Sequence, residues 1–182
     1  MKIKLNNVRL AFPQLFEAKT VNGEGKPAFS AAFLIDPADA QVKDLNAAID
    51  QVAKDKWGAK ADAILKQMRA QDKIALHDGD LKSNYDGFPG NLFVSARSAT
   101  RPLVIDKDKT PLTEQDGKPY AGCYVNASVE LWAQDNSFGK RVNASLRGVQ
   151  FLRDGDAFAG GGAASEDEFD EITDGADAGD LV

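Results

Sequence analysis

The sequence predicts a small, mostly-β barrel with one helical insertion and an acidic C-terminal segment. Three observations support this fold class: six or seven short stretches that suit strands, long polar loops between most of them, and one helical pattern after the second stretch. The chain has 182 residues, of which 43% are hydrophobic, and this suffices for one well-formed core. We therefore expect a barrel domain over residues 1–153 and a flexible acidic tail over residues 154–182.

Alternation of apolar and polar residues marks the expected strands. Residues 2–9 alternate with a period of two, whereas residues 28–35 are apolar on both faces, which indicates a central strand. The clearest element is a hairpin formed by residues 122–133 and 140–152, because both arms alternate along their whole length. Shorter strands are expected over residues 73–77, 91–97 and 101–106.

The helical insertion is expected over about residues 37–71. Asp36 and Pro37 are expected to open it, because aspartate caps helix N-termini and proline suits the first helical position. Apolar residues at helical spacing then continue as far as Trp57 and predict the first helix. A second, shorter helix is expected over about residues 60–71.

The composition excludes several classes of protein. No window approaches the roughly 18 consecutive apolar residues of a membrane span, and the first ten residues alternate charged and apolar groups, unlike a signal peptide. Cys123 is the single cysteine and His77 the single histidine, which rules out an internal disulfide, a cysteine-based zinc site and a two-histidine metal site. We therefore expect a cytoplasmic protein that is not an enzyme and needs no cofactor.

One acidic cluster supports an alternative with chemistry. Asp78, Asp80 and Asp86 lie close together in a loop that also contains Lys82, and such carboxylates can hold Mg²⁺ in a nuclease. The same residue types also build ordinary turns. A metal-dependent nuclease is therefore an alternative that the sequence favours less.

The charges are distributed unevenly along the chain. All 22 Lys and Arg residues lie within residues 1–153, together with 18 of the 28 Asp and Glu residues, so this part has a net charge of +4. The other 10 acidic residues give residues 154–182 a net charge of −10. A basic body joined to an acidic segment is compatible with a nucleic-acid partner, although the whole chain is acidic.

Two stretches combine aromatic and basic residues, which is the combination that single-stranded nucleic acid requires. The first spans residues 81–101, and the second is the outward face of the hairpin with the residues beside it. Aromatic faces stack on bases, and cations neutralise phosphates. The candidate ssDNA-binding residues are Lys82, Tyr85, Phe88, Phe93, Arg97, Arg101, Tyr120, Tyr124, Trp132, Lys140, Arg141 and Arg147.

Four segments in this order resemble a family of bacteriophage single-stranded-DNA-binding proteins. They are NVRLAFPQLFEAK near the start, YDGFPGNLFVSARSATRPLV in the middle, AGCYVNASVELWA with GKRVNASLRGVQFLRDGD, and the acidic end. The resemblance implies an OB-fold that binds single-stranded DNA during phage replication and recombination, without catalysis. It does not assign individual contact residues, so the candidates above depend on their own chemistry.

The resemblance also implies that the acidic C-terminus recruits replication proteins, such as a polymerase, a helicase or a nuclease. The same charge would let it compete with DNA for the basic body. Tails of this type often end on an aromatic residue, whereas this chain ends on Leu181 and Val182. The candidate partner-binding residues are Glu166, Asp167, Glu168, Phe169, Asp170, Glu171, Asp180, Leu181 and Val182.

A second function class is left open by the residues themselves. The protein would then be a phage interaction or assembly factor whose basic body never contacts DNA. A homodimer is also compatible with the sequence, which contains no signal for the oligomeric state. Binding of intact oligo-dT would separate the DNA-binding function from both this class and the nuclease.

Overall fold

The structure, a computed structural model, describes residues 1–21, 24–158 and 172. This part of the chain contains seven β-strands and two α-helices. The partner-binding residues proposed for the tail lie outside these described residues. The strands are β1 (Lys2–Val21), β2 (Glu24–Ile35), β3 (Leu76–Asp78), β4 (Leu92–Ser98), β5 (Leu103–Ile105), β6 (Tyr124–Asn136) and β7 (Gly139–Arg153), and the helices are α1 (Gln41–Trp57) and α2 (Ala61–Ala70).

Five of the strands close into a barrel in the order β1, β2, β4, β7, β6 and back to β1. Every pairing in this ring is antiparallel except the last one needed for closure, where β4 and β7 run parallel and Arg97 lies opposite Ser145. The two short strands lengthen the edges, because β3 pairs with β4 and β5 pairs with β7. The predicted mostly-β, OB-like barrel is therefore confirmed.

The barrel interior is filled by the apolar positions of the alternating strands. On β6, Val125, Val129 and Leu131 are fully buried, as the period of two predicts. β2 is central, with β1 on one side and β4 on the other, and its inward Phe33 is also fully buried. Strands that are covered on both faces read as continuous apolar runs, and this explains the composition of β2.

The helical insertion packs on the barrel through one face of each helix. Leu45 and Ile49 of α1 and Met68 of α2 are buried in the main core. α1 begins at Gln41, four residues later than expected, because Asp36 and Asp39 accept hydrogen bonds from the backbone N–H groups two residues ahead and form turns first. Within the described part of the chain, no helix has the length and apolar character of a bilayer-spanning segment.

A second, smaller apolar cluster lies outside the barrel. The loop between β3 and β4 folds over the outward faces of β2 and β4, where Phe88 and Phe93 pack with Leu34. Phe88 is 0% exposed and Phe93 is 3% exposed. Neither ring has a face that a base could reach, which corrects the expectation that they stack on DNA, and we leave both out of the interface proposed below.

This cluster leads to a stability prediction. We expect Phe88→Ala to lower the free energy of unfolding by about 3–5 kcal/mol, because the substitution removes a fully buried ring and leaves a cavity. Phe138→Ala is the matched control, since its ring is 86% exposed and its loss should change stability by less than about 0.5 kcal/mol. Urea unfolding of the two variants measures the difference. Equal effects would show that Phe88 does not occupy the buried position.

Candidate nucleic-acid interface

A surface groove crosses the outer faces of β4, β6 and β7 near the turn that joins β6 to β7. We call it the hairpin groove. Its volume is about 820 Å³, and one side of it is formed by the first residues of β2. The basic and aromatic side chains of its lining are Lys26, His77, Arg97, Trp132, Phe138 and Arg141.

Barrel closure assembles this groove from segments that are distant in the sequence. Arg97 points outward from β4, opposite Ser145 on β7. Arg141 lies on β7 at the same strand parity as Ser145, and Trp132 of β6 pairs with the intervening Asn143. The structure thus places Arg97, from the first predicted stretch, in one groove with Trp132 and Arg141 from the second.

Two aromatic rings of the groove are open to solvent. Trp132 is 44% exposed, and Phe138 is 86% exposed at the two-residue turn between Asn136 and Gly139. Asn136 fixes this turn, because its Oδ1 accepts a hydrogen bond from the Phe138 N–H (2.9 Å). An apolar ring held in water on a tight turn suits stacking on a ligand better than packing.

The groove is positively charged. Lys26, Arg97 and Arg141 line it, and no Asp or Glu side chain is among its described lining residues. Within the described part of the chain, none of these three cations forms an ion pair. Cations whose charge is not neutralised by a neighbouring carboxylate attract phosphates most strongly.

The turn that carries Phe138 is attached to the helical insertion. The Trp57 Nε1–H donates a hydrogen bond of 3.0 Å to Asp135 Oδ2, and Lys140 Nζ lies 3.6 Å from the other carboxylate oxygen. The hydrogen bond from Trp57 lowers the pKa of Asp135 below its usual value. The candidate Lys140 therefore lies beside the groove, paired with a carboxylate.

His77 connects the groove to the outer apolar cluster. Its ring stacks on Phe93 with a centroid distance of 5.0 Å, and its Nδ1 lies 2.7 Å from Asp72 Oδ1. The candidate Lys82 also lies near Phe93, and its Nζ is 5.5 Å from the centroid of the Phe93 ring. Phe93 therefore supports two polar groups beside the groove, although it does not face solvent itself.

Three further candidates lie outside the lining of the groove. Tyr85 is 40% exposed and packs edge-on against Phe12 with a centroid distance of 4.9 Å. The Arg101 guanidinium donates to the Phe16 carbonyl oxygen at 2.9 Å. Arg147 lies further along β7, with Nη1 3.8 Å from Glu130 Oε2.

Tyr120 and Tyr124 hold the chain that follows β7. The Tyr120 hydroxyl donates to Asp154 Oδ1 at 2.8 Å, and burial is the main cause that raises the pKa of this hydroxyl. The Arg153 guanidinium lies 3.6 Å from the Tyr124 ring centroid and covers that ring face. Both tyrosines are thus engaged with residues 153–155, so we leave them out of the proposed interface, and their stacking on bases stays a prediction.

Arg9 attaches the same segment to the barrel. Its Nε donates to the Gly122 carbonyl oxygen (2.9 Å) and its Nη2 to the Asp156 carbonyl oxygen (2.7 Å), while its guanidinium lies 4.3 Å from the Phe158 ring centroid. Phe158 also donates its backbone N–H to Ala121 (3.0 Å). Residues 154–158, which were expected to belong to the flexible tail, therefore pack on the barrel.

The acidic loop does not have the arrangement that a metal-dependent nuclease requires. Asp78 Oδ1 accepts the Asp80 backbone N–H, and Asp80 Oδ1 accepts the Gly90 backbone N–H, each at 2.9 Å. Among the residues that the structure describes, no three His, Cys, Asp or Glu side chains are grouped to hold a metal ion. Cys123 is not suited to be a nucleophile, because burial raises the pKa of its thiol to about 11.

The chain is similar to known phage proteins over nearly its whole length. It is 53% identical over 176 residues, 95% of each chain, to protein p50 of Acyrthosiphon pisum secondary endosymbiont phage 1. Its fold matches the single-stranded DNA-binding protein from bacteriophage Enc34 in complex with ssDNA, with a TM-score of 0.73 and 25% identity over 86% of this chain and 88% of that chain.

A second solved structure extends the likeness in fold. The single-stranded DNA-binding protein gp2.5 of bacteriophage T7 has a TM-score of 0.57 and 13% identity, with 96% of each chain covered. The family model described as the ssDNA-binding protein of Enterobacter phage Enc34 matches residues 1–182, that is, the whole chain. The protein therefore belongs to the Enc34 family of phage ssDNA-binding proteins.

Proposed function

We propose that this protein binds single-stranded DNA without sequence preference, along the hairpin groove. The observation that carries the proposal is the joint presence, in one groove, of exposed aromatic rings and of cations that form no ion pair with the described residues. OB-folds bind oligonucleotides on the face of the second and third barrel strands, between the loops that join strands one to two and four to five. In this barrel those strands are β2 and β4, and the second loop is the turn that carries Phe138.

The two kinds of side chain have different tasks. Lys26, Arg97 and Arg141 neutralise phosphates and release their counterions, which makes the affinity depend on salt. Trp132 and Phe138 stack on bases, and each stacked base contributes roughly 1–3 kcal/mol whatever its identity. Duplex DNA hides its base faces inside the helix, so it gains only the phosphate contacts and binds more weakly.

The biological setting follows from the family. The Enc34 relative was solved in complex with ssDNA. We infer that this chain coats and protects single strands during phage DNA replication and recombination, in the cytoplasm of the infected host. It needs no catalytic group for this task. Whether it acts as a monomer or as the homodimer that the sequence leaves open can be measured by sedimentation of the free protein.

We further propose that the acidic C-terminus competes with DNA and recruits replication proteins. Residues 160–182 contain eight acidic residues and no basic one, and they follow a segment that Arg9 fixes to the barrel at Asp156. Random coils of this length span roughly 30 Å, a reach that can bring carboxylates attached at one end of β6 to the cations of the basic groove. Phe169, Leu181 and Val182 give a partner apolar groups to bind once DNA has displaced the segment.

The double variant Arg97→Ala, Arg141→Ala tests the proposed groove. We expect the affinity for oligo-dT to fall at least about tenfold at low salt, and the slope of log K against log[salt] to become smaller by about 1.4, because two phosphate contacts are lost. Fluorescence anisotropy at several salt concentrations measures both quantities. Lys54→Ala, Lys66→Ala is the matched control, since both lysines are exposed on the helices. Equal losses in the two double variants would contradict the assignment.

Removal of residues 160–182 tests the proposed competition. We expect deletion to tighten binding to oligo-dT, most strongly at low salt, because the competing charge is removed. A full-length variant with Glu166→Gln, Asp167→Asn, Glu168→Gln, Asp170→Asn and Glu171→Gln should change affinity in the same direction, which separates charge from length. Affinity equal to that of the wild-type chain in both variants would leave the segment no role in DNA binding.

A further inference from the structure

A second groove lies on the outer face of β1, β6, β7 and β5. We call it the lysine groove. Its volume is about 450 Å³, and the lining residues that matter here are Lys2, Lys4, Leu103, Lys109, Asn126 and Gln150. It shares β6 and β7 with the hairpin groove but uses the parts of these strands that are further from the turn.

The strand pattern directs its basic residues outward. Leu5 of β1 is buried and Ile3 packs against the core, so Lys2 and Lys4 point to the opposite face. Lys109 comes from the loop after β5 and completes the lining. These three lysines are exposed, they form no ion pair within the described part of the chain, and no Asp or Glu is among the described lining residues.

The groove also has an exposed apolar side. Leu103 of the edge strand β5 is 61% exposed, and its backbone approaches Gly148, where an added Cβ would lie 3.2 Å from the Leu103 carbonyl oxygen. The described lining residues of this groove include no aromatic side chain. A ligand is therefore held here by charge and by aliphatic contact, without the stacking that Trp132 and Phe138 offer.

The two grooves are neighbours on one continuous surface. Ser128 lines the lysine groove and Trp132 lines the hairpin groove, and four strand residues correspond to roughly 13 Å. Arg147 lies between them at a β-bulge of β7, where the extra residue changes the direction of the side chain. Glu130 is the carboxylate at this point, and it is opposed by Arg147 at 3.8 Å and by Lys2 across the strand pair.

We propose that a single strand of DNA that leaves the hairpin groove continues over Arg147 into the lysine groove. This inference rests on the proposed function and extends it, since it assigns a second subsite that binds phosphates. Continuity with the first groove and the excess of cations favour DNA as the occupant. The subsite gives the protein a longer footprint and a steeper salt dependence than the hairpin groove alone.

Oligonucleotide length separates the two subsites. We compare the wild-type chain with the triple variant Lys2→Gln, Lys4→Gln, Lys109→Gln on two lengths of oligo-dT. The short one has about 5 nucleotides, near the lower limit of the site size of an OB-fold, and the long one has about 20, above its upper limit. For the long oligonucleotide, we expect about tenfold weaker binding at low salt and a salt slope that is smaller by about 2. For the short one, affinity should stay within about twofold, because the hairpin groove alone holds it.

The control is Lys43→Gln, Lys54→Gln, Lys66→Gln, which changes the net charge equally on exposed helix positions. Equal effects of the two triple variants, or equal losses on both oligonucleotides, would overturn the second subsite. A third result would also overturn it: the Lys2, Lys4, Lys109 variant loses affinity for the long oligonucleotide in the full-length chain, but not when Glu166, Asp167, Glu168, Asp170 and Glu171 are neutralised. The lysine groove would then hold the acidic segment and not DNA. A wild-type chain that fails to bind either oligonucleotide would instead refute the proposed function.

Discussion

Closure of the barrel by the parallel contact between β4 and β7 is the constraint on which the rest of the surface depends. One edge of β4 is paired with β2 along its whole length, and its other edge is shared by β3 at Leu92–Val94 and by β7 at Arg97. The inward side chains on either side of this contact, Ala96 and Ala144, are buried in the same core. Burial of the interior therefore positions β4 beside the hairpin.

The helical insertion has a mechanical role that the sequence alone does not suggest. The hairpin extends beyond the barrel, and a free two-stranded arm is only marginally stable in water. Here the arm is held at two points: Trp57 donates a hydrogen bond to Asp135 near the turn, and Val142 donates its backbone N–H to the carbonyl oxygen of Lys73 after α2. A groove that is ordered before the ligand arrives loses less entropy on binding.

Sequence reasoning was accurate where a feature depends on local periodicity. The alternation in residues 122–152 predicted the hairpin and its inward residues, and the apolar run at 28–35 predicted a central strand. Arg97, Trp132 and Arg141 were also chosen correctly as outward residues, and the structure places them in one groove. Strand parity is a local property, which is why it could be inferred without knowledge of the fold.

Periodicity could not show what covers an outward side chain. Phe93 points away from the barrel as parity requires, yet the loop that contains Phe88 folds over it. Tyr124 also points outward, and Arg153 lies over one face of its ring. Both covers are tertiary contacts between separate elements. The opposite error concerns Phe138: it stands in a two-residue turn between polar residues, and this context could have identified it as an exposed aromatic residue.

The end of the barrel away from the turn has a different task from the groove. Arg9 and Tyr120 hold residues 154–158, and Gly155 lies so close to the Gly122 carbonyl oxygen and to Tyr124 that no space is left for an added Cβ. The acidic C-terminus therefore starts from a fixed position on the body. The acidic segment therefore begins near one end of β6, and the cations of the hairpin groove lie near the other end.

Fluorescence of the two tryptophans tests whether the hairpin groove binds single-stranded DNA. Trp132→Phe leaves Trp57, which lies at the end of α1 and outside the groove lining, as the only tryptophan, and the difference from the wild-type signal reports Trp132 with the Trp57–Asp135 hydrogen bond intact. On titration with oligo-dT, we expect strong quenching of Trp132, because a base stacks on its ring, and little change for Trp57. Quenching of Trp57 alone, with Trp132 unaffected at saturation, would show that the strand does not bind in the hairpin groove.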